Sequence, residues 1–341
     1  MMDVYIIHPM YNLKFLDIII SRPNLHLAMF ACGMFVFISG ATLKLNERDE
    51  SVISFYKRRL TKILIPFYIS YILYFCIKAI TLHNVHLFGG ISKWRFIYTI
   101  FGIDEYLNAA GIKTFTLGVG EWFLGCIILC YMFYPLLSYI DSKNRKVFFI
   151  VFSIYYIFIS TYYDKLNIVM PRHFNFICQI YNFYLGIVFI DTKIFRSILS
   201  KSIFEEKNNK IKNALGLLFL LSIVSIIYIS DFKIRIPDNI LTTIAVIIVF
   251  IVCANFESIL NSCKNTIYII NKFNKISIEI FLVHHFVIYQ IDYMISYRRL
   301  RGYEMLCIFI IDFVLVILIA FIVHLINNFI YNFMYKASNQ R

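Results

Sequence analysis

Charge is scarce in this chain. Only 16% of its 341 residues are Asp, Glu, Lys or Arg, while 60% are hydrophobic and the mean hydropathy is +0.73. A water-soluble core cannot absorb that much apolar surface and a bilayer can, which excludes an ordinary soluble globule. Acidic residues are the scarcer sign, 20 against 33 basic ones, for a net charge of +13. Cytoplasmic loops of polytopic membrane proteins collect Lys and Arg, so the excess calls for no nucleic-acid partner. Metal-site spacing is missing too. The eight cysteines are scattered, mostly through apolar runs. Cys126 and Cys130 lie one helical turn apart, but no other Cys or His pair completes a zinc site, and the cysteines read as buried small hydrophobes. No internal repeat, linker or soluble insert is visible, so residues 1–341 read as one integral membrane domain. The first residues carry neither the charged region nor the small-residue cleavage site of a signal peptide.

What the chain does have is long apolar runs. Full-length candidates lie at about 25–43, 63–82, 117–140, 147–163, 174–191, 213–230, 239–255, 276–296 and 304–330. The run 94–103 is too short to cross and is expected to lie at the interface or re-enter. The expected fold is all-α: a polytopic transmembrane bundle of about ten helices, the first incomplete. That first one is residues 4–10, far short of the roughly 20 residues a spanning helix needs. As helix, the residues before His8 cover only about 10 Å of a hydrocarbon core about 30 Å thick, so the full-length product is expected to begin roughly 13 or more residues upstream. Segments 44–62, 141–146, 192–212, 256–275 and the C-terminal tail hold about 20 of the 33 Lys and Arg, which places them on the cytoplasmic side. Arg298, Arg299 and Arg301 fall on the other side, against this trend.

The densest cationic feature runs from Phe55 to Tyr68, where Arg58, Arg59 and Lys62 lead into an apolar helix. One charged residue at a bilayer centre costs roughly 2.5–3.5 kcal/mol, so three together must sit at the interface or line a wet cavity. They read either as a positive-inside anchor or as a mouth that receives a polyanion. Ionisable groups inside apolar runs are the remaining site candidates. His8 lies among apolar neighbours, with Pro9 ending any regular helix. His284 and His285 lie mid-helix, with Glu279 five and six residues earlier, so that it stacks on neither. They read as bundle-facing polar glue or as a cavity lining. His324 reads as structural. Glu121 and Trp122 open the 117–140 run, Trp122 serving equally well as an interfacial anchor. Ser39 and Gly40 mark a close helix approach or part of a site.

Taken in order, these pieces resemble the acyltransferase-3 family, the integral membrane O-acyltransferases of surface polysaccharides. Tyr5, Ile6, Ile7 and His8 are similar to the family's first-helix end. Phe35, Ser39 and Gly40 match its Phe-Phe-x-x-Ser-Gly step, with Val36 in place of the second Phe. Phe55, Arg58, Arg59, Lys62 and Pro66 match its arginine run, with Lys62 in place of an arginine. Trp122, Leu124, Tyr131 and Pro135 follow, then Phe183, Leu185 and Gly186, and finally Ser277, Phe281, Leu282 and His284. The resemblance covers nearly the whole chain.

It implies an acyl-CoA donor, acetyl-CoA above all, on the cytoplasmic side and a glycan or lipid-linked glycan acceptor, in the lipids of a bacterial inner membrane. It implies no permanently bound cofactor and no metal. His8 would take the proton of the acceptor hydroxyl. Arg58, Arg59 and Lys62 would hold the phosphates of coenzyme A, Arg59 by its planar fork. Ser39, Gly40, Trp122, Glu279 and His284 would support the site. The rival readings are a polysaccharide flippase or polymerase-like protein, for which Arg298, Arg299 and Arg301 speak, and a non-catalytic membrane subunit, which would need no His8.

Overall fold

A computed structural model describes residues 27–81, 90–191, 237–260, 264–295 and 302–339. His8, the 213–230 run and the arginines Arg298, Arg299 and Arg301 lie outside the described residues. Among the described residues there is no strand, in keeping with the expected all-α class. The main helices are α1 (Leu27–Leu45), α2 (Val52–Thr81), α3 (Phe96–Ile100), α4 (Asp104–Ala109), α5 (Glu121–Tyr162) and α6 (Phe176–Asp191). They are followed by α7 (Asp238–Leu260), α8 (Lys264–Lys275), α9 (Ser277–Ile295) and α10 (Gly302–Asn339). Among the described residues, four stretches are long and apolar enough to cross a membrane: Val52–Ile80, Glu121–Leu166, Ser277–Ile295 and Leu306–Phe333.

Two boundaries differ from the sequence reading. The helix expected from residue 63 starts at Val52, because Ser51 caps it: its Oγ accepts from the Ser54 N–H at 3.2 Å, and its carbonyl from the Phe55 N–H at 2.9 Å. The cation cluster is therefore helical throughout. Residues 256–260 and 264–275, read as loop, are helix, in the end of α7 and in α8. Exposed Tyr268, Ile269, Ile270 and Phe273 on α8 suit a membrane interface. The 94–103 run forms a 3₁₀ turn (Lys93–Arg95) and the five-residue α3, too short to cross.

The chain forms two compact units. The first combines the described residues of 51–128 and 270–339. In it α9 packs on both α2 and α10, with Phe286 stacked on Tyr74 at 4.5 Å. The loop region before α5 is tied down by side chains that serve its backbone. The Tyr71 hydroxyl donates to the Phe115 carbonyl at 2.6 Å, Arg95 to the Lys113 carbonyl at 2.7 Å, and Thr114 to the Asp104 carbonyl at 2.8 Å. A non-spanning backbone with no water to solvate it needs such partners.

The second unit combines the described residues of 27–50 and 129–269. Its α5 segment is a hairpin. Phe133 stacks near Phe176, and the Tyr155 hydroxyl, 22 positions on, donates to the carbonyl of the adjacent Ile177. A straight helix would separate Phe133 and Tyr155 by roughly 33 Å. The reversal sits at Asn144, whose backbone (φ −155°, ψ 81°) is not helical. This is the loop that the sequence places at 141–146. Buried Asp141 secures the hairpin, accepting from Tyr184 at 2.8 Å and twice from Arg145 at 2.7 and 2.9 Å. Further polar side chains join helices: the Tyr156 hydroxyl donates to the Asn239 carbonyl at 2.9 Å, and Thr243 to Asn182 at 2.6 Å.

The tightest contact in this unit is between α1 and α6. A Cβ on Gly40 would lie 2.0 Å from the Phe183 carbonyl oxygen, and one on Gly186 2.0 Å from the Phe37 carbonyl oxygen. The two backbones touch, and only glycine fits. Of the cysteines, Cys126, Cys130 and Cys178 are buried as expected, whereas Cys76 and Cys307 are exposed on apolar helices. We expect Gly40→Ala and Gly186→Ala each to destabilise the protein by about 3 kcal/mol or more, since the obstacle is backbone that must move. Gly33→Ala, whose Cβ would meet a Val246 methyl at 3.3 Å, should cost far less. Thermal melts in detergent check the order.

Candidate functional site

The cation cluster occupies the first turns of α2. Arg58 and Lys62 are four residues apart and Arg59 and Lys62 three, so the three share one region of the helix surface. Arg58 and Arg59 are half-buried and Lys62 is exposed. The Arg58 guanidinium lies over the Phe55 ring at 5.9 Å. A separate strip of α2 with Lys57, Leu60, Leu64 and Tyr68 borders an apolar groove of about 510 Å³. Ser39, half-buried, and Gly40 belong to the second unit, at the α1–α6 contact.

Glu279 and His284 lie on α9 but do different things. Glu279 is fully buried, and its Oε1 accepts from His324 Nδ1 at 3.0 Å and from Asn327 at 3.3 Å, both on α10. His324 is therefore part of a clamp between two helices. His284 Nδ1 lies 2.7 Å from the Phe281 carbonyl, so that nitrogen carries the proton and donates. Nothing brings Glu279 onto His284, as the spacing indicated. The His284 and His285 rings meet edge to face at 4.3 Å.

The structure also assembles groups that sequence reasoning did not join. Residues Gly118, Gly120 and Glu121 all have positive φ, at 81°, 75° and 46°. A non-glycine residue held there costs on the order of 1–3 kcal/mol. The turn delivers the Glu121 carboxylate to 2.7 Å from His285 Nδ1, a close contact whose angle falls short of a hydrogen bond. Tyr289, one turn further along α9, holds its ring tilted 5.5 Å from that of His285. Glu105 of α4 faces the same place, since a Cβ on Gly118 would lie 3.9 Å from both Glu105 Oε1 and the Tyr289 ring. Burial raises the Glu105 pKa, opposed by a hydrogen bond from the Thr116 side chain, and the Glu121 charge raises it further. Trp122, half-buried, follows Glu121 directly, with its ring edge-on to Phe123 at 5.8 Å.

Glu105 was missed because it falls in a segment that reads as a loop between spans. Its signal was the adjacent Asp104–Glu105 pair in a chain so poor in acids. Asp312, fully buried within α10, is a second acid that sequence reasoning passed over. Among the described residues no group of three His, Cys, Asp or Glu is placed to hold a metal ion.

A family model described as an acyltransferase domain matches residues 2–325. The chain belongs to the acyltransferase-3 family. This makes it an acyltransferase, and with its apolar helices a multi-pass integral membrane protein. No curated protein and no solved structure matches the chain. Within this acyltransferase the matched region includes every candidate residue above, His8 among them.

Asp104 offers a test of the loop region. It is 2% exposed, and its carboxylate accepts from the Glu105 N–H at 3.0 Å and from Thr99 at 3.2 Å. Burial pushes its pKa up to about 7. The folded protein therefore holds this proton more tightly than the unfolded chain. The stability it contributes is fully present below about pH 4 and lost as pH rises through about 7. Asp104→Asn mimics the protonated form. We expect it to melt at a higher temperature than the unaltered protein near pH 8, with the gap closing towards pH 5, in melts recorded across that range.

Proposed function

We propose that this acyltransferase moves an acyl group, acetyl in the simplest case, from acyl-CoA to a sugar hydroxyl of a cell-surface polysaccharide. Capsule, exopolysaccharide and O-antigen are the classes of acceptor, presented as glycan or lipid-linked glycan at a bacterial inner membrane. The observation that carries this reading is the family match over residues 2–325. The cation cluster supports it, because the phosphates of coenzyme A need charge and a planar donor at a water-facing helix end, and α2 offers Arg58, Arg59 and Lys62 in its first turns.

The chemistry is an acyl exchange. The acceptor oxygen attacks the thioester carbonyl carbon while a base removes its proton. The tetrahedral oxyanion collapses, the C–S bond breaks and coenzyme A leaves as the thiol. His8 is the base in this reading, by its likeness to the family's first-helix histidine, and imidazole as a group can take and give a proton near neutral pH.

The test is transfer of radiolabel from acetyl-CoA to a membrane glycan fraction by the purified protein in nanodiscs. Arg59→Ala is expected to abolish transfer while membrane insertion stays normal, and Arg59→Lys to be nearly as harmful because the fork is lost. Normal transfer by well-expressed Arg59→Ala protein would sink the donor assignment. His284→Ala should reduce transfer less than His8→Ala. The opposite order would move the base to α9.

A further inference from the structure

The acyl-transfer reading leaves a cluster in the first unit without a role: Glu105 on α4, Glu121 at the start of α5, and His285 and Tyr289 on α9. Three independent elements converge there. Two carboxylates beside one another repel and a strained backbone residue adds a cost, which the Thr116 hydrogen bond to Glu105 and the Glu121–His285 contact offset in the fold. Glycine at position 121 would remove the strain, as it does at Gly118 and Gly120 in the same turn. The glutamate is kept for its side chain.

The cluster is also open. The Glu121 side chain is 26% exposed and Tyr289 49% exposed. Carboxylates beside spanning helices cannot face lipid, so this opening is wet. With Nδ1 turned to Glu121, His285 keeps Nε2 for another partner. Two carboxylates and an imidazole offer several hydrogen-bond acceptors within a few ångström, and Tyr289 adds an exposed aromatic face. A polyhydroxylated ring fits this set: its hydroxyls donate, and its C–H face lies on the aromatic ring.

We propose that Glu105, Glu121, His285 and Tyr289 form the subsite that binds the sugar acceptor. The inference rests on the acyl-transfer reading and names where the acceptor is held. Glu121 and Glu105 accept hydrogen bonds from neighbouring sugar hydroxyls, His285 accepts one more, and the turn at Gly118–Glu121 fixes their spacing.

The experiment measures initial rates of label transfer from acetyl-CoA to the lipid-linked glycan fraction, varying each substrate in turn, with a thermal melt for every variant. For Glu121→Gln, His285→Gln and Glu105→Gln the acceptor KM should rise about tenfold or more, with the acetyl-CoA KM within about twofold of the unaltered protein. Glu121→Gly should melt no lower than the unaltered protein, because the strain is gone, and still lose acceptor affinity. Acceptor KM values within about twofold in the Glu121 and His285 variants would overturn the subsite. So would equal losses for donor and acceptor together with a lower melting temperature, which would mark the cluster as structural. If the unaltered protein moves no label to glycan, the acyl-transfer reading itself fails, a result visible before any variant is made.

Discussion

The constraint on which this structure depends is the absence of water around most of it. A polar group on a membrane helix has no solvent to fall back on, so it must find a partner within the bundle or open onto a wet space. With so few charged residues, the position of each one becomes informative. Asp141 is buried beneath Tyr184 and Arg145, and it holds the α5 hairpin on α6. Glu279 is buried beneath His324 and Asn327, and it holds α9 on α10. In both cases an acid acts as a rivet, and its removal would leave its partners without an acceptor.

Packing follows from the same constraint. Lipid tails are as apolar as leucine, so helices gain little from hiding apolar side chains and more from touching closely. Gly40 and Gly186 let two backbones meet, and the aromatic residues around them, Phe37, Phe183 and Tyr184, are fully buried. The Ser-Gly and Leu-Gly steps that carry the family resemblance are thus also the contact points of one helix pair. Their recurrence has a packing reason whatever chemistry Ser39 performs.

Much of the fold was legible in the sequence. Apolar run length located the spans, and the cations of 141–146 marked the hairpin that Asn144 makes. The helical extension back to Val52 was not legible from hydropathy, because the first turns of α2 are polar and only the Ser51 cap announces them. The motif residues were found individually, since a motif is local. The Glu121–His285 contact was not found, because it joins positions more than 160 residues apart through a turn whose positive φ values have no signature beyond two glycines. Glu105 was hidden by the assumption that a stretch too short to cross has only a connecting role.

The α5 hairpin bears on how the protein is made. As one continuous helix its 42 residues would run roughly 63 Å, about twice the hydrocarbon thickness. The reversal at Asn144 is so tight that the two arms have no slack to enter the bilayer one after the other. They must pass from the insertion machinery into lipid as a pair. Lys143, Arg145 and Lys146 cluster at the tip, and cations resist being carried across. The tip thus opposes crossing, and this one bend ties the orientation of its two arms together.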